Sequence, residues 1–269
     1  MRDSDERRGQ LAKHAEVCSQ AVATTDRLHA CGTATIDQIT GFQIAGPNAR
    51  ELLSRATTTD VSNTAFPFLA AQNMIVGMAD CLVQRVSYTG DLGYEIYCDT
   101  TSQRHLFHGL WAAGKDLGIT PFGMRAMMSL RLDKFFGAWS REYSPDYTAA
   151  ETGLDRFISW KKNTDFIGRS AAMAEKEKGG GRRLCAFKVD AHNADVVAYE
   201  PIWVDGKVKG FCTSGGYSHW TDTSVALGLI PAELAREGLE AEIEILGDLR
   251  PAKLVTTPLF DPGGERMRG

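Results

Sequence analysis

The 269-residue sequence has no apolar run approaching the ~20 residues needed to span a bilayer. Its opening stretch, Met1 to Arg8, is charged where a secretory leader would carry an apolar core. The expectation is a protein without a membrane span, cytoplasmic by default. The six cysteines (Cys18, Cys31, Cys81, Cys98, Cys185, Cys212) show no Cys-x-x-Cys spacing. That pattern argues against a zinc ribbon or a disulfide framework and for buried thiols in a reducing compartment. Cationic excess is missing too: the net charge is −4, which gives no reason to expect nucleic acid as a partner. The chain carries no Gly-x-Ser-x-Gly elbow, and no Gly-x-Gly-x-x-Gly opens a helix. An α/β-hydrolase nucleophile and a flavin or nicotinamide site within the chain are therefore not expected. His105 and His108 stand one turn apart without a third ligand, so no metal is expected there. His219, beside Trp220, reads as a plain surface histidine, with a place at the border of a ligand as the alternative.

What is present alternates between strands and helices, which indicates an α+β fold. The first thirty residues read as helical around Leu11, Val17 and Val22. A strand at 43–45 and a helix at 49–55 follow, the helix entered at Pro47. Residues 74–86 read as paired strands bounded by Gly77 and Asp80. Helices are predicted over 101–117, closed by Gly118, and over 122–136. The run Lys176 to Arg183 lacks Walker spacing and reads as a flexible linker rather than an anion-binding glycine loop. Beyond it six short strands are predicted: 184–189, 202–204, 208–213, 226–229, 241–245 and 252–256. Asp205-Gly206 supplies a type I′ hairpin turn, and the whole suggests a small β-barrel. The division is thus 1–175, a linker at 176–183, and 184–269.

Residues 87–97, Ser-Tyr-Thr-Gly-Asp-Leu-Gly-Tyr-Glu-Ile-Tyr, are the most informative stretch. Two β-prone segments, 81–88 and 94–98, flank a turn at Gly90–Gly93, which reads as a hairpin. Period-2 alternation puts Tyr94 and Ile96 on one face and Glu95 and Tyr97 on the other. A carboxylate beside a tyrosine can accept two parallel N–H bonds from a flat amino-pyrimidinone edge. Spacing alone serves the plain reading, a solvated Glu on an open strand face, better.

The stretch resembles the folate-contacting hairpin of the glycine-cleavage T-protein (aminomethyltransferase) family, in the variant of the dimethylglycine and sarcosine dehydrogenase folate domains. The resemblance continues through Ile44 to Arg50, Asp60 to Phe68, Ser129 to Lys134, Ala138 to Tyr143, Asp165 to Arg169, Thr213 to Ser218 and Pro258 to Pro262. It implies a folate-binding α+β domain over 1–175, partial relative to the family, followed by a C-terminal β-barrel. It also implies tetrahydrofolate as cofactor, with Glu95 on the pterin's N3–H and 2-amino group and Tyr88 against the ring system. Trp139 and Arg141 are candidates for lining the cavity, with loop anchoring (Arg141 paired to Glu142 or Asp146) as the structural alternative. Tyr217 completes the cofactor-binding set.

Met127 and Leu246 stand where T-proteins carry arginines, which points toward the dehydrogenase-linked branch. The family's Gly-Gly-x-x-Asp-Asp-like segment, with its catalytic aspartate, has no counterpart around Asp3, Asp5 or Asp26. No catalytic residue is therefore assigned, and enzymatic activity is left open. The function implied is folate-dependent one-carbon transfer coupled to demethylation of an N-methylated amine such as dimethylglycine or sarcosine. Alternatives are a non-catalytic folate-binding or partner-completed subunit, and a demethylase acting on another donor such as dimethylsulfoniopropionate. The partners implied are the small-molecule methyl or aminomethyl donor and a flavin amine dehydrogenase subunit or a second copy. The shortened domain further predicts exposed apolar surface around Phe42–Ile44 and Phe66–Phe68.

Overall fold

Strand-forming segments separated by Gly and Asp turns build the first layer. In the computed structural model, which describes residues 38–269, β1 (Ile39–Ala45), β2 (Ala71–Val76), β3 (Ala79–Gln84) and β4 (Gly93–Asp99) form a sheet in the order β1-β4-β3-β2. The period-2 reading holds. Tyr94, Ile96, Val83, Cys81, Met74 and Val76 are buried on one face. That face packs against α1 (Ala49–Ala56) and α2 (Gln103–Gly114) through Leu52, Leu53, Leu106 and Leu110. Each such side chain contributes roughly 1.5–3 kcal/mol of burial free energy, which fixes the register. The other face carries Leu82, Gln84, Glu95 and Tyr97, none of them fully buried.

Helix ends follow their local chemistry. After α2 a 3₁₀ turn at Lys115–Leu117 leads to Gly118 at φ 77°, the expected left-handed stop. Arg55, in the last turn of α1, reaches both Glu51 (2.9 Å) and Asp116 (2.7 Å), stitching α1 to the end of α2. α3 (Met124–Asp133) is shorter than the predicted 122–136, because Phe135 takes φ 58°, which a right-handed helix cannot continue. The predicted helix in the first thirty residues lies outside the described residues.

The six predicted barrel strands are all present: β5 (Arg182–Val189), β6 (Pro201–Val204), β7 (Lys207–Ser218), β8 (Thr223–Pro231), β9 (Glu240–Ile245) and β10 (Asp248–Val255). They close in the order β10-β5-β8-β7-β6-β9. Asp205 (φ 51°) and Gly206 (φ 69°) adopt the two left-handed conformations that a type I′ turn requires. Phe187, Ile202, Cys212 and Ile243 fill the interior with no exposed surface.

The segment expected as a flexible linker is structured at both ends. Lys176–Lys178 finish α5 (Arg169–Lys178), and Arg182 and Arg183 already belong to β5. Arg182 pairs with Glu151 (2.9 Å), the capping-box residue of the four-residue α4 (Ala149–Thr152), and Arg183 donates to Ala150 O (2.8 Å). Those anchors leave only Gly179–Gly181 between elements. Residues 40–269 form one compact unit. Within it α3 packs on the barrel, with Leu132 buried against Ala186, Val225 and Leu227.

Candidate functional site

Glu95 sits opposite Gln84 in the β3–β4 ladder, and Tyr97 opposite Leu82. The Tyr97 hydroxyl donates to Glu95 Oε2 at 2.5 Å. Two features of the sequence permit this. Alternation puts both side chains on the same face, two residues apart. Gly41 leaves room for the ring, since a Cβ there would lie 3.0 Å from two Tyr97 ring carbons. The hydrogen bond to the carboxylate holds the proton on the phenol and, with burial, pushes its pKa up to about 12. A carboxylate offers about four acceptor positions, so Glu95 can serve Tyr97 and still receive two parallel N–H groups.

Tyr88 is placed differently from expectation. The strand predicted through residue 88 ends at Gln84, and Arg85, next on the inward side of the alternation, is 1 % exposed. Its guanidinium donates to Phe66 O (2.8 Å), Arg268 O (2.6 Å) and Gly269 O (3.0 Å). Residues 85–92 therefore form a loop rather than a tight turn. From that loop the Tyr88 hydroxyl donates to Gly137 O at 2.9 Å, and its ring stacks on Phe136 at 6.4 Å and 10°. Burial raises the Tyr88 pKa, so the phenol stays protonated and a donor at neutral pH.

The 136–143 segment is fixed by a buried ion pair that sequence reasoning missed. Arg131, on α3, and Glu142 are 2 % and 0 % exposed, with Nη1 and Oε2 3.4 Å apart. Arg131 also donates to Phe136 O (2.7 Å) and to Ser214 Oγ on β7 (2.7 Å), while Glu142 Oε2 accepts the Ala138 N–H at 2.7 Å. The Gly137 N–H donates to the Tyr143 hydroxyl at 3.0 Å. Gly137 is required, because a Cβ there would meet Glu142 and the Tyr143 ring at 2.7 Å. The one sequence signal was an arginine inside the apolar Leu130-Arg131-Leu132 run. Glu142 pairs inward with Arg131, not with its neighbour Arg141 as the loop-anchoring reading supposed.

The remaining candidates lie apart in character. Trp139 is 84 % exposed and Arg141 is also exposed, both on the outer side of the segment whose inner side carries Glu142. Tyr217, on β7, contacts α3 through its carbonyl, which accepts from Ser129 Oγ at 2.6 Å. The Tyr217 ring meets His219 edge-on at 5.1 Å. The exposed surface expected at Phe66 is absent: Phe66 is 1 % exposed and stacks on Tyr94, while Phe42 and Ile44 are half-buried against the same core. Among the described residues no group of His, Cys, Asp and Glu has the arrangement of a metal site. The four described cysteines are free and buried.

Two family models match the chain: the GCVT N-terminal domain over residues 9–162, and the glycine cleavage T-protein C-terminal barrel domain over residues 182–261. Human mitochondrial dimethylglycine dehydrogenase is 37% identical over 234 residues, covering 86% of this chain and 27% of that protein. The aminomethyltransferase of Bacillus subtilis is 32% identical over 236 residues, covering 86% of this chain and 65% of the enzyme. The crystal structure of glycine cleavage system aminomethyltransferase T from Bartonella henselae superposes with a TM-score of 0.73 at 24% identity. That match covers 83% of this chain and 60% of the other, and establishes a shared fold. The chain thus spans between 27% and 65% of these curated relatives' length. Among the described residues no helix is long and apolar enough to cross a membrane. The cytoplasmic expectation meets a relative whose own name places it in mitochondria.

Proposed function

This chain belongs to the glycine cleavage T-protein family, and on that premise we propose that it forms a tetrahydrofolate pocket serving folate-dependent one-carbon transfer, with the carbon drawn from an N-methylated amine. The observation that carries the reading is the Glu95–Tyr97 pair on the open sheet face, with Tyr88 held in the adjoining loop. Its donor set suits a pterin. A half-buried carboxylate, oriented by a short hydrogen bond, matches a donor–donor edge, and half-buried aromatic rings suit a flat heterocycle. Bound tetrahydrofolate supplies the nitrogen that accepts the one-carbon unit.

The chain's own residues bind and orient. Tyr97 fixes the rotamer of Glu95 before any ligand arrives, which lowers the ordering cost of binding. Tyr88, protonated and tied to Gly137 O, offers a rigid ring face. The buried Arg131–Glu142 pair keeps the segment bearing Gly137 in place. Trp139, Arg141 and Tyr217 are proposed as outer contacts. No residue is assigned a proton transfer.

The resemblance to dimethylglycine dehydrogenase, of which the matched stretch is 27%, supports a donor delivered by an amine-oxidising portion or subunit. The direct test is calorimetric titration with reduced tetrahydrofolate of the chain and of Glu95→Ala. Saturable binding that weakens by about 2–4 kcal/mol in the variant is expected, since a buried donor edge would lose its charged acceptor. Equal affinity in the two proteins would reject the assignment of Glu95.

A further inference from the structure

Residues 258–269 leave the barrel and pack against the loop that carries Tyr88. Their path is fixed at successive points. The Leu259 and Phe260 N–H groups both donate to Asp133 O (3.0 and 3.1 Å). Lys134, 5 % exposed, donates to Phe260 O (3.1 Å) and Asp261 O. Asp261 then caps α6 (Glu265–Arg268) through the N–H groups of Glu265 and Arg266.

From α6, Arg266 reaches back to Asp91 with two hydrogen bonds, 2.9 and 3.3 Å. Its guanidinium lies 5.1 Å from the Phe260 ring centre and 5.9 Å from that of Trp220. Arg85, at the loop's other end, donates to the carbonyls of Arg268 and Gly269. Between these two ties, Gly90 packs so closely on the strap's anchor that a Cβ would sit 2.5 Å from Lys134 Cγ and 3.4 Å from the Phe260 ring. Backbone bonds pin the loop at its ends (Leu69 N–H to Arg85 O and Arg85 N–H to Ala70 O, 2.9 Å each, and Gly46 N–H to Leu92 O, 2.8 Å). Between them its internal hydrogen bonds are short in range: Ser87 Oγ with Gly90 N–H (3.1 Å) and Thr89 Oγ1 (3.5 Å), and Leu92 N–H to Asp91 Oδ1 (2.9 Å).

We propose that residues 258–269 act as a strap that sets the conformation of the 85–92 loop, with Arg266 as the positioning residue that acts on Tyr88 through Asp91. The relevance to ligand rests on the folate reading above; the mechanical claim does not. A paired, ring-stacked guanidinium with bidentate geometry is the kind of partly exposed ion pair that holds a segment in place. When it is lost, Tyr88 keeps its bond to Gly137 O and its stack on Phe136, but residues 89–92 lose their tie to the strap and the loop holds the ring less firmly.

The test uses the full chain with Arg266→Ala, Asp91→Ala and the double variant, and reads amide hydrogen exchange over 86–92 together with calorimetric affinity for tetrahydrofolate. Expected is loop exchange faster by about fivefold in each single variant, with the barrel strands unchanged. The double variant should be no worse than either single, because both remove the same link. Folate affinity should fall in all three variants, by no more in the double than in either single. Unchanged loop exchange in Arg266→Ala, additive effects in the double variant, or acceleration spread equally over β5–β10 would each overturn the proposal. Faster loop exchange in a chain whose wild type binds no folate would uphold the strap and reject the folate reading.

Discussion

Replacing Glu142 by glutamine tests the central strut of the candidate site. The substitution keeps the side chain's volume and an acceptor for the Ala138 N–H. It removes the negative charge facing Arg131, whose guanidinium is 2 % exposed. At the observed 3.4 Å separation, Coulomb attraction at an effective dielectric of ~20 is about 5 kcal/mol. Part of that is offset because the carboxylate no longer has to be kept out of water. Removing one partner of a buried pair typically costs about 3–5 kcal/mol. Arg131 keeps its bonds to Phe136 O and Ser214 Oγ, so a net loss of about 2–4 kcal/mol is expected. With a urea slope of about 2–3 kcal/mol per molar, the unfolding midpoint should drop by about 1 M. Far-UV circular dichroism and tryptophan fluorescence, followed through the same titration, check that one transition is being measured. Arg131→Met combined with Glu142→Gln should lose less than the sum of the two singles, since no uncompensated charge remains. A loss below about 1 kcal/mol for Glu142→Gln, or full additivity in the double variant, would refute the claim that charge pairing anchors this segment.

Other outcomes follow from local geometry. Tyr97 should titrate as a late phenol near 12, and Tyr97→Phe should remove that step from an ultraviolet pH titration. Because the folded pKa is raised, its stabilisation is complete below pH ~10 and disappears as pH climbs toward 12. Identical alkaline titrations of the two proteins would contradict this. Gly210→Ala should destabilise by roughly 2–4 kcal/mol, because its Cβ would fall 2.0 Å from the Leu229 carbonyl oxygen. Gly109→Ala, in α2 with open space around it, should instead stabilise by roughly 0.5–1 kcal/mol. Thermal unfolding of the two alanine variants side by side measures both, and shifts of the same sign would count against the close approach of β7 and β8.

Much of the fold is written in short-range chemistry. The Glu95/Tyr97 face follows from strand periodicity, the stop at Gly118 from its tolerance of positive φ, and the β6–β7 hairpin from Asp205-Gly206. All six barrel strands were legible for the same reason: alternation and turn residues act over a few positions, and the sequence displays them directly. The partners of charged side chains were not. Arg85 reads locally as a polar residue within a strand, yet its acceptors lie at Phe66 and, 183 and 184 residues away, at Arg268 and Gly269. Glu142 stands next to Arg141 in sequence but is paired with Arg131, and Arg131 in turn reaches Ser214, 83 residues on. Phe66, placed by the sequence on an exposed patch, fills the core against Tyr94. A buried charge must find its partner wherever packing brings one within reach, because the cost of leaving it unpaired inside exceeds any local preference. The sequence by itself thus determined the elements, their faces and their turns. Only the tertiary structure decided which carboxylate, ring and backbone carbonyl meet to hold the site, since burial and the closing of distant segments set those contacts.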